Sequence, residues 1–166
     1  MGGPRIVVRI LGLASTTRGF GFAVTEGPRR LVASGLHRVP VKTSKAVKAI
    51  DGVLRRAKPL FVAFDREAAL KKRRRGRLFA DAVTKACDAH GVMILDIANS
   101  QIRALTERPR PTKLHIAEVV VRFFPELARS LPARRKPWQS EDDRIGLFMA
   151  LAAAVTAWHS FGRPRG

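Results

Sequence analysis

The chain is 166 residues long, which suits one domain, or one domain with a tail, and leaves little room for a second core. Hydrophobic residues make up 46% of it, which excludes a disordered basic tail, while 32 Lys+Arg against 13 Asp+Glu leave a formal charge of +19. A folded domain with that surplus calls for a polyanionic partner, because neutralising phosphates releases counterions whatever the base sequence. Nucleic acid heads the candidates, ahead of a membrane surface. The single cysteine, Cys87, excludes an internal disulfide and a cysteine-rich zinc site and agrees with a reducing, cytoplasmic setting.

Arg5 to Ala14 is rich in Ile, Val and Leu with few polar breaks, the pattern of a central strand covered on both faces. Gly19 to Thr25 and Arg30 to His37 read as two more strands, with Glu26-Gly27-Pro28 as a hairpin turn between them. Ser44 is placed to cap a helix running to about Arg56, since Val47, Ile50, Val53 and Leu54 recur at helical spacing. Pro59 stops that helix, and Leu60 to Phe64 forms a fourth strand ending at Asp65. Ala68 to His90 reads as one long helix, cationic over Lys71, Lys72, Arg73, Arg74, Arg75 and Arg77. Its later turns carry an apolar stripe at Phe79, Ala82, Val83, Ala86 and Cys87, and Gly91 stops it.

Val92 to Ile97 is a fifth strand, followed by a short helix or loop from Asn99 to Leu105 that carries Arg103. The linker Arg108-Pro109-Arg110-Pro111 leads to a helix capped by Thr112, with Leu114, Ala117, Val121 and Phe124 on its apolar face. A second basic loop, Pro132 to Pro137, carries Arg134, Arg135 and Lys136, and Ser140 is placed to start a last helix reaching about His159. The apolar run Ile145 to Trp158, about fourteen residues, is too short to span a bilayer, so no membrane partner is expected. The fold expected is α/β: a mixed five-stranded sheet, an antiparallel three-strand meander plus two crossover strands, flanked by helices. Residues 1–160 form a single domain with a flexible tail at 161–166.

With few acids among so many cations, their positions carry information. Asp65 stands at a strand tip, where a rigid sheet edge projects a side chain into a crevice. Glu141, Asp142 and Asp143 crowd the expected first turn of the last helix. Two readings of that trio stay open: helix capping with dipole compensation, or ligands that join Asp65 around Mg²⁺ or Mn²⁺.

The run Ile10-Leu11-Gly12-Leu13-Ala14-Ser15-Thr16-Thr17-Arg18-Gly19-Phe20-Gly21 resembles the opening of RuvC-like Holliday-junction resolvases of the RNase H-like superfamily. Their first strand reads Ile-Leu-Gly-Ile-Asp-Pro-Gly and is followed by a Gly-Tyr-Gly strand. Leu60 to Asp65 is similar to the family's fourth strand, Gln101-Ile102-Arg103 and Thr112-Lys113 to its segment after the fifth, and Ala150 to Thr156 to its final helix. The resemblance implies an RNase H-like fold and a two-metal endonuclease acting on branched or double-stranded DNA as a homodimer, in a nucleoid-associated protein. RNA stays open as a substrate.

The implied catalytic set is position 14, Asp65, and Asp143 or Asp142 beside Glu141, with Lys113 stabilising charge on the scissile phosphate. Position 14, however, is Ala14 where the family has an aspartate. Survival of Asp65 and the acidic trio favours an alanine introduced to trap an inactive complex over a natural loss that leaves a binding protein. The last helix can be aligned two ways: on its Ala-Leu-Ala run, which puts Gly146 and Met149 at the family's acidic positions, or on its acids, which selects Asp142 and Asp143. The acids are preferred, because ligands must be carboxylates. Lys71 to Arg77, Arg103, Arg108, Arg110, Arg134, Arg135 and Lys136 then form a track for DNA backbones. Sugar-kinase and actin-like ATPases share a related first hairpin, but they need two such domains.

Overall fold

The computed structural model describes residues 7–39, 43–136, 138–139 and 141–161. Five strands, β1 (Ile10–Ser15), β2 (Gly19–Thr25), β3 (Leu31–Arg38), β4 (Phe61–Phe64) and β5 (Met93–Asp96), form one sheet in the order β3-β2-β1-β4-β5. The β1–β2 and β2–β3 pairs are antiparallel, and β4 pairs with β1 and β5 in parallel. The mixed sheet expected from the sequence is therefore present. β1 is shorter than expected: Val7 to Arg9 are not in a strand, and Arg5 and Ile6 lie outside the described residues.

Alternation along the strands builds two cores. Leu11, Leu13, Phe20, Val24, Val62 and Phe64 face helices α1 (Thr43–Ala57) and α3 (Arg73–His90), meeting Ile50, Leu54, Phe79, Val83 and Cys87. Ile10, Ala23 and Ala63 face the other way, toward α5 (Lys113–Phe123) and α6 (Arg144–Phe161). Burying an aromatic such as Phe64 or Phe148 stabilises by about 2–3 kcal/mol, so these two layers dominate the stability. Phe20 and Phe22, on one face of β2, both pack into the first core.

Four expectations are corrected. The cationic helix is two, α2 (Arg66–Leu70) and α3, broken at Lys71 and Lys72 and resumed at Arg73 with φ 61°. The break lets α3 turn tightly over α2, and a Cβ on Gly76 would lie 1.6 Å from the Ala69 carbonyl oxygen. Ser44 lies inside the first turn of α1. A 3₁₀ helix, Pro125–Ser130, follows α5, with proline fixing the φ that its first turn needs. The last helix starts at Arg144, after the acidic trio, and Ser140 and Pro137 lie outside the described residues. At 18 residues α6 extends beyond the fourteen-residue apolar run and, by length and hydropathy alone, could cross a membrane; 67% of it is buried inside the protein, as a core helix is. Between β5 and α5 lies a short helix, α4 (Asn99–Arg103).

Candidate nucleic-acid cleft at the sheet edge

β1 and β4 are parallel and in register up to Leu13 and Phe64, so Ala14 and Asp65 end up side by side at the same sheet edge. Adjacent strands are about 5 Å apart, and period-two alternation turns both residues toward α6. α6 runs back along the sheet: a Cβ on Gly21 would lie 2.4 Å from the Gly146 carbonyl carbon, and one on Gly12 would lie 1.9 Å from the Ala150 oxygen. At its far end the Trp158 indole N–H donates to Thr25 Oγ1 at 2.8 Å, and Thr25 donates on to the Ile10 carbonyl at 3.0 Å. These contacts fix the rotation of α6 and place Gly146 and Met149 in the cleft wall with Ala14, Asp65 and Asn99.

Asp65 caps α2, its Oδ1 accepting from the Ala68 N–H at 2.9 Å, and Asn99 Nδ2 stands 3.5 Å from its Oδ2. Its neighbour Arg66 is drawn away from the cleft, donating to Thr84 Oγ1 at 3.2 Å and standing 3.6 Å from Asp96. Lys72, released from helix geometry by the α2–α3 break, extends its ammonium to the Ser15 carbonyl at 2.7 Å. Arg75, one turn into α3, donates to the Thr17 carbonyl. Lys72 is thereby pinned to the end of β1 and Arg75 to the loop that follows it. Lys72 is exposed as a residue, but partial burial in the cleft lowers its pKa from the ordinary lysine value. The positive charge of Lys113 lowers it further, and Glu141 opposes the shift.

Lys113 begins α5, where the Thr112 hydroxyl accepts from the His115 N–H at 3.2 Å and the His115 ring nitrogen accepts from the Thr112 N–H at 3.1 Å. His115 is thus committed to capping. Across the cleft, Lys113 Nζ stands 3.1 and 3.3 Å from the two Glu141 carboxylate oxygens. Lys72, Lys113 and Glu141 line both the inner cleft beside Ala14 and a mouth of about 350 Å³ shared with Thr16, Thr17 and Arg75.

The rest of the trio lies further out. Asp142 is clamped by the Arg144 guanidinium at 2.7 Å, a hydrogen bond that holds its carboxyl below the usual carboxylate range. Asp143 lies 3.9 Å from Arg18. Both line the mouth and a neighbouring recess with Arg38, but neither lines the inner cleft with Asp65. Of the two alignments of the last helix, the one on Ala-Leu-Ala matches the inner wall, since Gly146 and Met149 stand there.

Among the cations singled out in the sequence, the structure brings Lys72, Arg75 and Lys113 to the cleft. Lys71 pairs with Glu67 at 3.8 Å, and Arg73, Arg74 and Arg77 lie exposed along α3. Arg103, Arg108, Arg110, Arg134, Arg135 and Lys136 are exposed and line none of these recesses. Trp138 is 77% exposed, with the Lys136 ammonium 5.4 Å above its ring. Arg18, Arg38 and Arg144 line the neighbouring recess; isolated arginines carry no local signal in the sequence, and only the fold gathers them.

The donor set does not fit a pair of magnesium ions. Such a centre needs several convergent carboxylates, and among the described residues no three Asp, Glu, His or Cys side chains gather at one point. Around the inner cleft, positions 14, 146 and 149 supply a methyl, a hydrogen and a thioether, Asp65 is occupied as a helix cap, and Glu141 is held by a lysine.

No protein-family model matches the chain, and neither does any curated protein sequence. Solved structures do. Thermus thermophilus RuvC in complex with a Holliday junction substrate superposes with a TM-score of 0.67 at 19% identity, over 93% of this chain and 96% of that one. A second Thermus thermophilus RuvC structure gives 0.68 at 20% identity, covering 92% and 95%. The likeness is one of fold over essentially the whole length: this chain has the RuvC-like form of the RNase H-like fold.

Proposed function

We infer that the chain is a branched-DNA-binding protein of the resolvase fold that holds a junction in its cationic cleft without cutting it. One observation carries the reading: where parallel strands, the α2–α3 break and the start of α5 meet, cations converge on a cleft whose inner wall presents Ala14, Gly146 and Met149, leaving Asp65 and a lysine-held Glu141 as its carboxylates. The structural neighbour that is bound to a Holliday junction supports a branched substrate. The excess of cations supports binding through backbone phosphates. Three non-acidic residues at 14, 146 and 149 together fit natural loss of cleavage better than a single introduced alanine. The reading includes a two-fold dimer, because a four-way junction offers two equivalent faces.

A second reading, Mg²⁺- or Mn²⁺-dependent cleavage, rests on Asp65 surviving at the strand tip with Glu141 across the cleft. Competition between a labelled four-way junction and a linear duplex of the same length, followed by a denaturing gel after incubation with Mg²⁺, separates the two. Junction preference with intact strands is expected. Nicked strands would establish the second reading, and equal affinity for the duplex would remove the branched-substrate claim.

A further inference from the structure

We propose that Lys72 and Lys113 form a metal-independent seat for one DNA backbone phosphate, and that Glu141 occupies this seat as a built-in placeholder when DNA is absent. The proposal rests on the binding function inferred above and names the groups that perform it.

Three observations support it. First, the two amines reach the same cleft from different elements, Lys72 from the α2–α3 break and Lys113 from the head of α5. Like charges brought together in this way repel, so their convergence calls for an anion between or beside them. Second, the anion present is a carboxylate offered with both oxygens: Glu141 stands 3.1 and 3.3 Å from Lys113 Nζ. Two oxygens of a phosphodiester present nearly the same geometry and charge. Third, Glu141 sits in the stretch between the basic loop and α6, exposed and outside any helix or strand, so it can swing out as a phosphate enters. Lys72 is held by the Ser15 carbonyl and therefore keeps its place. Two ammoniums supply the +2 charge that one divalent ion would bring, at an edge where the residues present do not assemble one.

The test uses the full chain and a fluorescein-labelled four-way junction, followed by anisotropy in EDTA over a range of salt. Lys113→Gln and Lys72→Gln should each weaken binding about tenfold and lower the salt slope by about one. On a junction carrying a neutral methylphosphonate at the seated linkage, the parent should bind as weakly as the double variant binds the native junction. Glu141→Gln should act in the opposite direction, tightening binding in EDTA several-fold by removing the placeholder.

Failure of the parent to prefer the junction in EDTA would overturn the binding function itself. Junction preference with Lys113→Gln and Glu141→Gln both unchanged would overturn the seat alone. Weaker binding by Glu141→Gln, confined to Mg²⁺, would mark Glu141 as a metal ligand and also overturn it. Lys72→Gln loses its bond to Ser15, so its fold is checked by circular dichroism. Lys113→Gln, whose only partner among the described residues is Glu141, keeps the test decisive if Lys72→Gln does not fold.

Discussion

A negative charge placed at position 14 should weaken DNA binding, whereas in a two-metal nuclease the same change would restore function. Ala14 precedes Ser15, whose carbonyl holds Lys72 at 2.7 Å, so a carboxylate at 14 would lie roughly 6 Å from a phosphate seated on that lysine. At an effective dielectric near 20 the repulsion is about 2.8 kcal/mol, and solvent and salt at this half-exposed edge cut it to about 1.4 kcal/mol. That corresponds to about a tenfold loss of affinity. Ala14→Asn has nearly the same shape without the charge and controls for bulk. Anisotropy in EDTA should therefore show Ala14→Asn within about twofold of the parent and Ala14→Asp about tenfold weaker. With Mg²⁺ added, Ala14→Asp should still leave the junction uncut, because Gly146 and Met149 offer no carboxylate on the opposite wall. Equal affinity for the Asp and Asn variants, or strand cleavage by Ala14→Asp, would refute this reasoning.

Gly12→Ala should destabilise the fold by about 2–3 kcal/mol, lowering the melting temperature by roughly 5–10 °C, because its Cβ would lie 1.9 Å from the Ala150 carbonyl and neither backbone can yield cheaply; a change under about 0.5 kcal/mol in urea melts would contradict the strand–helix contact. Thr25→Val leaves the Trp158 indole N–H without its partner and should cost about 1–2 kcal/mol, while adding Trp158→Phe should cost less than the sum of the two single changes. Burial, with the negative charge of Asp88 adding to it, pushes the Cys87 thiol up to about 11, so a disulfide reagent at pH 8 should label it only as fast as the protein opens, and prompt labelling would show that the α3–sheet interface is loose.

The sheet was legible because its signals are local and redundant. Ile10 to Leu13 and Phe61 to Phe64 are apolar without interruption, as strands covered on both faces must be, and Pro59 and Asp65 punctuate the second of them. Asp65 at a strand tip followed directly from that reading. The α2–α3 break did not, because Lys71-Lys72-Arg73 contains neither proline nor glycine. The cause lies three residues on, at Gly76, where only a missing Cβ lets the two helices touch through Ala69. In the sequence Lys72 is therefore one charge in a run, whereas in the fold the break turns it into the cleft.

The acidic trio misled for a related reason. Asp142 lies close enough in sequence to Arg144 to be captured by it, and Asp143 lies near Arg18, so charge in sequence did not become free charge in the cleft. Gly146 and Met149 are marked in the sequence only by the Ala-Leu-Ala alignment, and being chemically silent they lose to the acids on residue type, although they are the ones that line the inner cleft with Ala14. Their position follows from how α6 crosses β2 at Gly21, a contact 125 residues apart in the chain.

Hydroxyl-radical footprinting of a four-way junction, with the protein bound in EDTA, tests the central claim most directly. Protection centred on the backbone at the point of strand exchange, unchanged by Mg²⁺, is the result the cleft predicts. Protection spread evenly along the arms, or appearing only once Mg²⁺ is present, would contradict it.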